Sequence, residues 1–114
     1  MNKATEFNLF YGSLAVGRIK KAFCSDETWH GVFEPQLQPT DGLLAKRVVG
    51  YITFTMEWNE RVRNSTPAEP TEFDRFEDIV KSSLWATITT TGVKDAIVDA
   101  PIFFGGGDVT WRSC

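Results

Sequence analysis

Cysteine and histidine are scarce in this chain, with two cysteines and one histidine in 114 residues. A closed zinc site takes four Cys/His ligands at short paired spacings, and three such residues cannot supply one. No metal or other cofactor is therefore expected. Cys114 is the last residue, where chains fray, so Cys24 and Cys114 read as two free thiols, consistent with a reducing cytoplasm. No apolar run approaches the roughly 20 residues that cross a bilayer. Residues 1–6 lack the basic start and apolar stretch of a signal peptide, so a cytoplasmic location away from the membrane is expected. The sequon Asn64-Ser65-Thr66 carries no weight without such a signal. Cationic excess is missing too. A net charge of −3 argues against a general nucleic-acid binder, which needs a basic face to neutralise phosphates.

Large rings are plentiful: nine Phe and four Trp. Each buries much apolar area, so residues 1–114 can form one compact domain without a metal or a disulfide. The charge is uneven along the chain. Residues 1–66 hold eight Lys/Arg against seven Asp/Glu, and residues 67–114 hold four against eight. An electrostatic partner of the second half is expected to be basic.

Phe7, Leu9 and Tyr11 alternate with Asn8 and Phe10, and Gly12-Ser13 then supplies a two-residue turn of type II′. Residues 6–11 and 14–23 read as paired strands. Leu14 and Val16 share one parity while Ile19 and Phe23 share the other, which implies a bulge or bend near Gly17. Ser25-Asp26-Glu27 breaks the chain before a third strand, residues 28–34. There Trp29, Gly31 and Phe33 take one face, and Thr28, His30, Val32 and Glu34 the other.

From about Asp41 the period changes to three and four: Leu44, Val48, Tyr51, Ile52, Thr55, Trp58, Asn59 and Val62 mark a helix of about five turns. Thr40 or Asp41 is its expected N-cap. Thr71 is expected to cap a second, shorter helix that buries Phe73, Phe76, Ile79 and Val80 and stops near Ser82. Strands follow at 84–91, with Leu84, Ala86 and Ile88 inward, then at 96–104 and 109–112. Pro101 points to an edge or a bulge. The fold class is α+β: an antiparallel sheet of about six strands, two helices inserted after the third, and both helices on one face.

Two surfaces compete for function. Glu69, Glu72, Glu77 and Asp78, with Asp74, make the second helix acidic. The ordinary reading of these acids is a solvated helix face; with Trp85 predicted on the outward face of its strand, the leading functional alternative is a docking patch for a basic protein. A small, acidic, ring-rich chain without a catalytic constellation then fits a non-enzymatic protein-binding module, such as an inhibitor or immunity-type protein. The competing class is a small-molecule binder or minor enzyme using a cleft between helices and sheet, with His30 at its mouth. Cys24 lies six residues before His30, and imidazole beside a thiol is the minimum for nucleophilic catalysis. The ordinary reading of these two residues is a solvent-facing strand histidine and a loop cysteine.

Other motifs carry less. Gly105-Gly106-Gly107 precedes a strand, whereas a phosphate loop needs a helix N-terminus at that point. Arg18, Lys20, Lys21, Lys46 and Arg47 read as solvated basic residues that discourage edge-to-edge strand pairing.

The stretches Phe10-Tyr11-Gly12-Ser13-Leu14-Ala15-Val16-Gly17, Asp26-Glu27-Thr28-Trp29-His30-Gly31-Val32-Phe33-Glu34 and Gly107-Asp108-Val109-Thr110-Trp111-Arg112 resemble small uncharacterised bacterial α+β proteins. In those a hairpin, a Trp-x-Gly strand and a terminal Trp-Arg recur around a helical middle. The resemblance implies a bacterial, cytoplasmic setting and brings no activity, cofactor or site residue with it.

Overall fold

The alternating first third of the chain forms three antiparallel strands: β1 (Phe7–Tyr11), β2 (Leu14–Ser25) and β3 (Thr28–Pro35). The computed structural model describes residues 5–112, so the expectation for Cys114 lies outside the described residues. Gly12 has φ 61°, the sign a type II′ turn needs at its first central position. The predicted change of face near Gly17 is a bulge: Leu9 pairs with Gly17 but Phe10 pairs with Ala15, leaving Val16 as the extra residue.

The β2–β3 connection is tighter than the sequence reading had it. Ser25 already pairs with Thr28, so only Asp26 and Glu27 turn the chain. Both have positive φ, 52° and 66°, the backbone of a type I′ turn. A second bulge, unexpected from the sequence, follows in β2. Lys20 pairs with Val32 and Phe23 with His30, which leaves Lys21 and Ala22 together opposite Gly31. Lys21 takes φ 54° to make this bulge. A Cβ on Gly31 would lie 2.4 Å from Ile19 Cγ2, so glycine is what lets the two strands approach here. Ile19 and Phe23, expected on one face, therefore point to opposite sides.

Helix α1 (Leu43–Arg63) spans 21 residues, close to the predicted length. Its N-cap is Gly42; Asp41 ends a short 3₁₀ turn, where its carboxylate accepts the backbone N–H of Gln38 at 2.9 Å. Ala45, Val48, Tyr51, Ile52, Phe54 and Thr55 are buried, whereas Leu44 and Val62 at the two ends are exposed. The predicted second helix is mostly 3₁₀ (Pro70–Phe76), followed by one turn of α-helix, α2 (Glu77–Val80). Glu69, not Thr71, stands at its N-cap. Phe73 and Phe76 pack on Phe54 of α1, with ring centroids 4.9 and 5.2 Å away. This segment thus rests partly on the long helix.

Strands β4 (Trp85–Thr89), β5 (Lys94–Ala96), β6 (Ile102–Phe103) and β7 (Asp108–Arg112) complete a seven-stranded antiparallel sheet in the order β5-β4-β1-β2-β3-β7-β6. The expected single strand at 96–104 is split between the two edges, and buried Pro101 lies in the link. Five residues cross from one edge to the other because the sheet is curled. On the way the Ile97 N–H donates to the Trp85 carbonyl at 3.1 Å and the Val98 N–H to the Arg112 carbonyl at 2.8 Å, lacing the two sides together. Inside the curl, Tyr51 of α1 meets Trp85, Phe76 and Phe103, and its hydroxyl donates to the Pro101 carbonyl at 2.9 Å. Burial pushes that phenol's pKa up.

Trp85 requires a correction. It pairs with Tyr11, whose ring points inward, and the two rings meet edge-on at 5.0 Å. The antiparallel register therefore places Trp85 and Thr87 inside, and Trp85 is 0% exposed. Its indole N–H donates to the Ile79 carbonyl at 3.0 Å, so the polar tip is satisfied within the core. Leu84, expected inside, is exposed.

Candidate functional site

The two bulges fix what each face of β2, β3 and β7 presents. Successive strand residues alternate sides, so the extra residue at Lys21–Ala22 returns Phe23 to the outer face. There it stacks on His30, with centroids 5.0 Å apart and planes 16° from parallel. The ladder continues the row: His30 pairs with Thr110, and Thr110 with Ile102. The neighbouring outward row is Lys20, Val32 and Asp108.

The last turn of α1 and the β6–β7 turn stand over these rows. Together they enclose an open cleft of about 800 Å³, with Phe23, His30, Val32 and Thr110 on one side and Asn59, Val62, Arg63 and Phe104 on the other. Three large apolar side chains that face solvent line it: Phe23 at 58% exposure, Val62 at 51% and Val32 at 38%. Asn59 braces the wall by donating to the Thr55 and Phe103 carbonyls at 2.9 and 3.1 Å. Glu60 and Arg63 pair with each other. Lys21 and Asp108 also line the cleft and take part in none of the ion pairs among the described residues. Gly105 and Gly106 of the β6–β7 turn shape one rim, and the glycine run leads into a strand.

His30 therefore lies in a cleft bounded by sheet and helix. Cys24 does not join it. Cys24 pairs with Trp29, one step along from the Phe23–His30 pair, so it projects from the opposite side of the sheet and remains an exposed free thiol. No cluster of three or more His, Cys, Asp or Glu that could hold a metal occurs among the described residues.

The acidic segment is occupied largely by its own neighbours. Arg61 grips Glu72 with two bonds of 2.7 and 3.1 Å, and the Glu72 carboxylate also accepts the Glu69 N–H at 2.9 Å. The Arg61 bond, then that backbone bond, hold the Glu72 pKa below its ordinary range. Arg47 bonds Asp78 and lowers its pKa in the same way. Glu77 pairs with Lys81 at 2.7 Å, one helical turn on. Lys20, one of the basic residues of the first half, is likewise held by Glu34 at 3.1 Å.

Sequence reasoning missed Phe23, Val32, Lys21 and Asp108 as site residues. The available signal was the Asp26-Glu27 turn. Once two residues turn the chain, counting back from it pairs Ser25 with Thr28, Cys24 with Trp29 and Phe23 with His30.

Fold and cleft define an α+β protein built on a curled seven-stranded antiparallel sheet, with an open apolar cleft beside the end of its long helix. No helix among the described residues is long and apolar enough to cross a membrane. Comparison with protein-family models, with curated proteins and with solved structures finds no match.

Proposed function

We propose that this chain is a small-molecule-binding protein whose site is the cleft over the Phe23–His30 pair. One observation carries this reading: a non-glycine residue, Lys21, is held at φ 54° in a bulge whose effect is to turn a large apolar ring out of the core. Left-handed backbone costs an L-residue about 1–2 kcal/mol, and strain of this kind clusters at functional sites. The ring so displaced meets two other exposed apolar side chains and an imidazole in a concave site whose exposed surface is mainly apolar, with polar groups around it, the ordinary make-up of a ligand pocket.

The chemistry is binding. Among the described residues His30 has neither a thiol nor a hydrogen-bonded carboxylate beside it. The reading of residues 69–78 as a docking face for a basic partner has less support, because Arg61, Arg47 and Lys81 already engage Glu72, Asp78 and Glu77, and Trp85 lies inside.

Indole is a suitable probe, since its flat ring can stack on Phe23 and His30 without further recognition. Amide spectra recorded during an indole titration are expected to shift at residues 21–23, 30–32 and 104–110, and Phe23→Ala is expected to remove those shifts. Shifts scattered over the surface, or confined to residues 69–81, would sink the cleft reading.

A further inference from the structure

The polar groups around the Phe23–His30 platform indicate what it stacks against. This inference rests on the cleft being a ligand site and concerns the ligand's chemistry. Four residues bring formal charge to the lining, Lys21 and Arg63 against Glu60 and Asp108, so the cleft has no excess of either sign. Glu60 and Arg63 cancel one another in a direct ion pair. Among the charged residues that leaves one donor, Lys21, and one acceptor, Asp108; the Thr110 hydroxyl, the His30 ring nitrogens and the Asn59 Oδ1 add neutral partners.

Their placement follows from the register. Thr110 is directly opposite His30, and Asp108 is diagonal to it across the β3–β7 pair. Opposed side chains in such a pair are about 4.5–5.5 Å apart at Cβ and diagonal ones about 7–8 Å. A ring stacked on Phe23 or His30 therefore has its edge within reach of a hydroxyl and a carboxylate. Lys21 projects from the bulge next to Phe23.

We infer that the cleft binds a neutral, planar heteroaromatic ring of nucleobase type, stacked on the Phe23–His30 pair and read along its edge by Asp108, Thr110 and Lys21. A nucleobase edge carries donors and acceptors side by side, which matches an acceptor, a donor and a hydroxyl better than any purely apolar ring does. A phosphorylated ligand finds no cationic excess to offset its charge. A flexible aliphatic chain would lose more rotational freedom on an open platform than a rigid ring, for less contact.

The test titrates the full chain with adenosine, guanosine, uridine, adenosine 5′-monophosphate, indole and decanoate. At least one nucleoside is expected to bind about tenfold more tightly than indole, and the monophosphate no more tightly than adenosine. Asp108→Asn removes the charge at an exposed position while keeping the shape, and an unchanged melting temperature checks the fold. It should weaken the preferred nucleoside about tenfold and weaken indole less. If indole binds the cleft but no nucleoside exceeds it, or if Asp108→Asn leaves the preference intact, this inference falls and the cleft reading stands. Decanoate binding alone has the same consequence. If neither rings nor decanoate bind, both readings fall together.

Discussion

Two stacked ring pairs lie on opposite faces of the sheet and share strand β3: one crosses from β3 to β7, the other from β2 to β3. Trp29 and Trp111 stack on the inner face at 5.8 Å and 8°, and Phe7 closes on both edge-to-face at 5.2 and 5.7 Å. Phe23 and His30 stack on the outer face at 5.0 Å and 16°, with His30 one residue along β3 from Trp29, and look into the open cleft. Ring geometry alone does not tell the two apart. What differs is the cover: the inner pair belongs to the continuous core that includes α1, whereas Phe23 is mostly exposed. A similar stacked contact is thus covered by the core on one side of the sheet and left open to solvent on the other.

The largest expected effect tests the inner half of that contrast. Trp111→Ala removes a buried indole from contact with Trp29 and Phe7 and is expected to destabilise the fold by about 3–5 kcal/mol, the usual range for ring-to-alanine changes in a core. Urea denaturation measures it. A loss below about 1 kcal/mol would mean that the inner pair is no more structural than the outer one.

Much of this was legible beforehand. The Gly12-Ser13 turn, the bulge near Gly17, the face assignment of β3 and the long helix all follow from local patterns that the structure respects. The face of Trp85 is not legible locally: Trp85-Ala86-Thr87-Ile88 alternates ring, small, polar and aliphatic, so its own pattern does not choose a side. Only pairing with Tyr11, 74 positions earlier in the chain, decides it. The 96–104 stretch looked continuous because nothing local signals that its halves belong to opposite edges of a curled sheet. The cleft was hidden for a similar reason. Its walls come from β2, β3, the end of α1 and the β6–β7 turn, and the second bulge that exposes Phe23 is signalled only by Gly31 and by the register that the Asp26-Glu27 turn sets.

A smaller effect, of opposite sign, probes the bulge itself. Lys21→Gly relieves a left-handed residue and loses some of that gain to the unfolded chain's greater freedom, for a net stabilisation of about 0.5–1 kcal/mol. If Lys21 also reads the ligand edge, the same variant binds the preferred nucleoside less tightly while melting higher. A lower melting temperature would show that the lysine side chain, not the backbone twist, holds the bulge together.

The smallest expected effect is the most discriminating. Phe23→Leu keeps an apolar side chain of similar reach at a position 58% exposed, so little buried area changes and stability should move by no more than about 0.5 kcal/mol. The ring face is what disappears. An aliphatic side chain can still shed water against His30, but it offers no π surface for a second ring to stack upon. If the outer pair is a stacking platform, Phe23→Leu retains the fold and loses most indole binding, and His30→Ala does the same from the other side of the stack. If the outer face is merely an apolar patch, Phe23→Leu binds indole as the unaltered protein does. The comparison of the two ring pairs would then reduce to a difference in burial, with no functional meaning attached to the ring that the bulge turns outward.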